Sequence, residues 1–254
     1  MGDVGLYPQG QQRLQHEIDQ LLESSPNRDL DPDLLIVPHG SLNQIGELLA
    51  AAYGAIDPGT FRNVVFLAGK HRDIGPTVAF TEQTRRTPLG TLRVDEMFTK
   101  QLLLDESFSR HDKLHDLEQA INPQLPFLQT VKDRFNIVPI IIGNGLEGAK
   151  VDAVASSLKG SLQESDLLIT VTNLATSPEE ERVKRADSSV INAIRDRNLG
   201  LLEETGREHG ICGWRALEIG LATLDETPVF HQLGHRIFHK DNGVQGAGSF
   251  CFSS

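Results

Sequence analysis

The sequence predicts an α/β fold: a single domain over residues 1–254, with a mostly parallel central sheet flanked by helices and antiparallel edge strands from the C-terminal tail. Three observations carry this. Short, continuous apolar runs recur along the chain, the pattern of strands buried on both faces. Between them stand stretches with apolar residues at helical spacing. No Pro-, Gly- or Ser-rich linker and no internal repeat divides the chain into two cores.

Taken in order, Leu14, Ile18, Leu21 and Leu22 mark a first helix. A polar link from Ser24 to Asp33, with Pro26 and Pro32, leads to the first buried strand, Leu34 to Val37, which stops at Pro38-His39-Gly40. Ile45, Leu48, Leu49 and Ala52 form the next helix, stopped near Gly54. Val64–Ala68 is the second buried strand and runs into Gly69-Lys70-His71. A hairpin is expected from Val78–Phe80 and Leu92–Val94, joined through Thr87-Pro88-Leu89-Gly90. Helical patterns follow at Glu96 to Leu104 and His111 to Ala120. Ile137–Ile142 is a third strand, ending at Gly143-Asn144; Val151, Val154, Ala155, Leu158 and Leu162 share a helix face; Leu167–Val171 is a fourth strand, ending at Thr172-Asn173. One long charged helix is expected through Val190, Ile194 and Leu201, and another through Trp214, Leu217, Leu221 and Leu224. The tail, Val229 to Phe252, reads as two short strands around Asp241-Asn242-Gly243.

Charge narrows the partners. With 24 basic against 35 acidic residues the net charge is −11, unsuited to nucleic-acid phosphates or anionic membranes. No apolar run reaches the roughly 18 residues of a membrane span. Met1-Gly2-Asp3-Val4-Gly5-Leu6 has neither a signal-peptide nor a myristoylation pattern. Cys212 and Cys251 make no disulfide framework, so a cytoplasmic protein with free thiols is expected.

The chemistry concentrates at strand ends, where α/β sheets place their ligand crevice. His39 and His71 end the first two buried strands, expected to be neighbours; imidazole there binds metals or moves protons. Cys212 stands in Gly210-Ile211-Cys212-Gly213, directly before a helix, where unpaired N–H groups and the dipole favour the thiolate. Two imidazoles and one thiolate suit copper, iron or zinc, and three ligands with open positions are typical of catalytic sites. The alternative is two unrelated loop histidines and a small apolar cysteine. His111 and His115, four apart among charges, read as a solvated helix face. His231, His235 and His239 share one face and read as structural or edge residues.

These residues resemble the Memo family. Gly5-Leu6-Tyr7-Pro8 is similar to its G-S-W-Y-P, Ile36 to Gly40 to V-x-P-H-A-G, Leu67 to Arg72 to L-G-P-S-H-H, and Thr87-Pro88-Leu89-Gly90 with Val94-Asp95 to T-P-L-G followed by V-D. Gln124 to Leu128 matches Q-L-P-F-L, Val138-Pro139-Ile140 with Gly143 matches V-P-I-L-V-G, and Ile211-Cys212-Gly213 matches I-C-G. The resemblance implies a fold like that of class III extradiol dioxygenases, which use non-haem iron, and a metal-binding cleft of His39, His71 and Cys212. Implied with it are iron or copper redox or oxygenase-like chemistry and a small-molecule or peptide ligand; Cys212 is the expected catalytic residue because its place before a helix favours the thiolate. The chain also departs from the pattern. The acid and histidine of S-S-D-x-x-H-Y become Asn173 and Thr176, E-H-S-L-E keeps only its first acid as Glu118 with Gln119 and Asn122 following, and the second histidine of S-H-H becomes Arg72. Glu118, Asn173 and Arg72 are therefore the expected substrate-binding residues. Thr176 cannot serve as the base that deprotonates a phenol near neutral pH. The competing expectation is a degenerate member that binds a ligand, with or without metal, and performs no catalysis.

Overall fold

The structure, a computed structural model, describes residues 5–26, 29–225, 228–240 and 243–254. The Met1–Val4 stretch and the Asp241-Asn242 turn of the sequence reading lie outside them. The chain runs α1 (Gln11–Glu23), β1 (Pro32–Val37), α2 (Leu42–Tyr53), β2 (Asn63–Gly69), β3 (Val78–Phe80), β4 (Arg85–Thr87), β5 (Gly90–Leu92), α3 (Glu96–Leu102), β6 (Ser109–Arg110) and α4 (Asp112–Leu117). It continues through α5 (Gln124–Val131), β7 (Asn136–Ile142), α6 (Ala149–Ser161), β8 (Asp166–Val171), β9 (Thr176–Ser177), α7 (Glu180–Arg195), α8 (Leu199–Glu208), α9 (Trp214–Thr223), β10 (Val229–Lys240) and β11 (Gly243–Ser253).

The main sheet has the order β10-β11-β1-β8-β2-β7-β3-β6, with β9 pairing β11. Its centre, β1-β8-β2-β7, is parallel throughout. The tail adds β11 antiparallel to β1 and β10 antiparallel to β11, the antiparallel edge expected from the sequence, but at 12 and 11 residues the two strands are long, not short. Side chains of a strand alternate between faces, and here they alternate between two apolar clusters. Leu34, Ile36, Val65, Leu67, Val138, Ile140 and Leu168 join α6, α7 and α9. Leu35, Val37, Val64, Phe66, Ile137, Leu167 and Ile169 join α1, α2 and α5. Both faces are therefore covered, which is why the central strands carry no polar alternation.

Several expectations are corrected. β1 and β2 are not neighbours: β8 lies between them. Val78–Phe80 is no hairpin arm; it pairs antiparallel with β7, while the hairpin is β4 with β5. The single long helix through Leu201 is two, α7 and α8, broken where Arg197 takes φ 49° and Asn198 caps the second through its side chain to the Leu201 N–H. α4 ends at Leu117, and Glu118 is extended.

Candidate metal centre

β1 delivers His39 two residues past its end, and β2 delivers His71 two residues past its own. Cys212 arrives on the turn into α9, two residues before its first residue, Trp214. Gly69 and Gly213 let it in. A Cβ on Gly69 would stand 2.5 Å from the Gly213 Cα and 2.7 Å from its N, and Gly213 itself has φ +70°. The two backbones touch where any side chain would hold them apart. The result is one cluster: a ligand atom from each of His39, His71 and Cys212, all within 4.8 Å of one another. Cys212 Sγ lies 3.2 Å from His39 Nε2 and 2.6 Å from His71 Nε2, and the rings stand edge to face with centroids 4.9 Å apart.

Each ligand is held from behind. β8, lying between β1 and β2, ends in Thr172-Asn173, and this pair grips both flanks. Asn173 Oδ1 accepts the His39 N–H at 3.1 Å while its Nδ2 donates to the His39 carbonyl at 2.9 Å. The Thr172 hydroxyl donates to the Cys212 carbonyl. Glu118 is buried; its Oε2 accepts from His71 Nδ1 at 2.9 Å, and its Oε1 takes the backbone N–H groups of His71 and Arg72 at 2.5 and 2.8 Å. The side chains of Asn173 and Glu118, expected at the substrate, are thus engaged with the ligand-bearing loops. Gln124, fully buried, donates to the Pro38 carbonyl at 2.9 Å and accepts from the Tyr53 hydroxyl at 2.9 Å. The sequence reading gave Gln124 no role, although a polar side chain opening the apolar run to Leu128 was a visible signal.

Electrostatics complete the site. Hydrogen bonds to Cys212 and then to Glu118 raise His71 from 6.5 to about 10. Burial works against a Cys212 thiolate, but the charge of His39 and hydrogen bonds from His39 and His71 outweigh it and lower the thiol to about 6. Burial likewise opposes ionised Glu118, and the His71 side chain and backbone N–H groups hold it below the usual carboxylate range nevertheless. Without metal the trio is an imidazolium–thiolate pair backed by a carboxylate.

Two cavities flank His71. One, of about 290 Å3, is lined by His39, His71, Arg72 and the apolar Leu6, Leu117 and Ala120. The other, of about 370 Å3, is lined by His71, Arg72, Thr77, Asn144 and Gly145. The remaining candidates lie elsewhere. Cys251 is buried, which pushes its thiol up to about 12. His115 is not on a solvated face; it is 1% exposed, with Nε2 donating to the Ala79 carbonyl at 3.1 Å. A register shift between Gln232 and Gly234 separates His231, bonded to Ser253, from His235 and His239, which meet Asp187 and Glu180 of α7.

A mostly parallel α/β sheet with two imidazoles and a thiolate meeting beyond its strand ends defines an α/β protein with a candidate metal centre. The chain belongs to the Memo family: the family model described as Memo-like protein matches residues 4–236. A MEMO1 family protein of Methanobrevibacter smithii is 32% identical over 189 residues, covering 72% of this chain and 67% of the relative. One from Thermotoga maritima is 30% identical, covering 76% and 71%. The crystal structure of an uncharacterized protein from Escherichia coli K12 shares the fold at TM-score 0.51 and 12% identity, covering 86% of this chain and 98% of that one.

Proposed function

We propose that the protein binds one transition-metal ion through His39, His71 and Cys212 and uses it for redox or oxygenase-like chemistry, with iron or copper as the ion, in the cytoplasm. The observation that carries this is the convergence of the three ligand atoms within 4.8 Å. The donor set fits. Nitrogen and sulfur at zinc-type bond lengths stand about 3.5 Å apart in a tetrahedron. From separations of 3.2 and 2.6 Å, the sulfur must draw back about 0.3 Å from His39 and about 0.9 Å from His71 to admit an ion. Glu118 fixes Nδ1 of His71 and leaves Nε2 toward the cluster, the usual outer partner of a metal-bound imidazole. A bound ion would supply Lewis-acid and one-electron chemistry. The chain's own part is to orient the ligands, to hold the Cys212 sulfur as thiolate, and to offer an apolar wall to a small-molecule or peptide ligand. Metal analysis of protein purified without chelator tests the reading. Wild type should carry about one ion per chain, and His39→Ala and Cys212→Ala should lose it; unchanged occupancy in both variants would sink the proposal.

A second reading is supported by the residues standing where the family pattern has an acid and a base. Asn173 is committed to the His39 backbone, and Thr176 accepts from Gln245 Nε2 at 3.3 Å. On this reading the protein binds its ligand without turnover. Reproducible metal-dependent turnover of a catechol or thiol substrate refutes it.

A further inference from the structure

We propose that Arg72 makes the cleft selective for a small oxyanion, a carboxylate or phosphate group carried on a short apolar body. This deepens the reading of the cleft as a metal site and rests on it for the ligand's place beside His39 and His71.

Position is the first argument. Arg72 is exposed, follows His71 directly, and lines both cavities that flank it. Arg72 shares the first cavity with His39 and His71, and the second with His71, Lys70 and Asp73. Valence is the second. The one buried carboxylate at hand, Glu118, takes the Arg72 backbone N–H but directs its remaining capacity to His71, and the Arg72 guanidinium has no hydrogen-bond or ion-pair partner among the described residues. Elsewhere this acidic chain supplies such partners: Arg110 sits on Glu82 and Asp112, Arg207 on Glu147 and Glu203, and Arg215 on Glu203 and Glu218. A planar fork of donors left open at a cleft matches a carboxylate or phosphate in bidentate fashion.

The neighbouring lysines are spent elsewhere. The Lys240 ammonium, at the end of β10, donates to Gln245 Oε1. Lys70 is held on its own loop, donating to the Gly75 and Pro76 carbonyls at 3.1 and 3.4 Å. Leu6, Leu117 and Ala120 give the same cavity of about 290 Å3 an apolar lining, which suits a short, apolar organic part.

Calorimetry on the full chain loaded with zinc, a redox-silent ion, tests this with two probes, butyrate and inorganic phosphate. Wild type should bind at least one of them, butyrate if the ligand is a carboxylate and phosphate if it is a phosphate ester. Arg72→Ala should weaken that binding roughly tenfold or more, the loss of one charge-assisted pair. Arg72→Lys should fall between, since it keeps the charge without the fork. Arg86→Ala, on the β4–β5 hairpin, should bind as wild type does. Failure of wild type to bind either probe, or equal binding by Arg72→Ala, overturns the proposal. If wild type takes up no zinc, the metal reading fails by that fact. The same titration on the metal-free chain then decides Arg72 by the same two outcomes.

Discussion

Asn173 holds His39 by both ends of one residue, accepting from its N–H and donating to its C=O. An aspartate, the residue of the family pattern, could accept from the N–H but would turn its second oxygen toward the carbonyl. The amide is thus the better clamp for this loop, and its cost is an acid that the cleft no longer has. Asn173→Ala should leave the circular dichroism spectrum unchanged and weaken metal binding by ~10–100-fold, the usual effect of losing a group that orients a ligand. A competition titration against a chromophoric chelator measures this. An affinity equal to wild type would mean that β1, Thr172 and Gln124 place His39 unaided.

At the scale of elements, the site is a junction of β1, β8, β2 and the start of α9, and its tightest point is Gly69 against Gly213. Overpacking a closed contact typically costs about 1–3 kcal/mol. Gly69→Ala should therefore lower the urea midpoint and, because the displaced backbone carries Cys212, weaken metal binding as well. The pairing of effects is the test: reduced stability with unchanged metal affinity would show that α9 can retreat without moving the sulfur. The elements most open to a sequence reading were the four central strands, whose apolar runs report burial on both faces. Those least open were β3 to β5, where runs of three residues match a hairpin arm and a sheet strand equally well, and the α7–α8 break, which depends on one non-glycine residue with φ 49°.

The stability of the whole molecule carries a pH signature from His115. Burial, and then the charge of Arg85, lower its pKa from 6.5 to about 4. Between those values the unfolded chain takes up a proton that the folded chain refuses, so the contribution is full above pH 6.5 and is lost as pH falls toward 4. The shift corresponds to at most about 3 kcal/mol. His115→Gln removes the titrating group. Urea unfolding at a series of pH values should show wild type losing more stability than the variant between pH 6.5 and 4, with parallel curves above 6.5. Parallel curves throughout would mean that the imidazole is protonated in the folded state.

By itself the sequence determined that buried parallel strands end at His39, His71 and Asn173, and that a helix starts beyond Cys212. Each is a local matter: apolar runs, caps and turns are written within a few residues. Tertiary structure alone decided that β8 enters between β1 and β2, that Glu118 leaves its helix to orient His71, that His115 is buried, and that Gly69 and Gly213 bring the thiol to the imidazoles. These depend on pairing and packing between segments far apart in the chain. A side chain there is chosen for the face it meets, and no spacing within its own segment records which face that is.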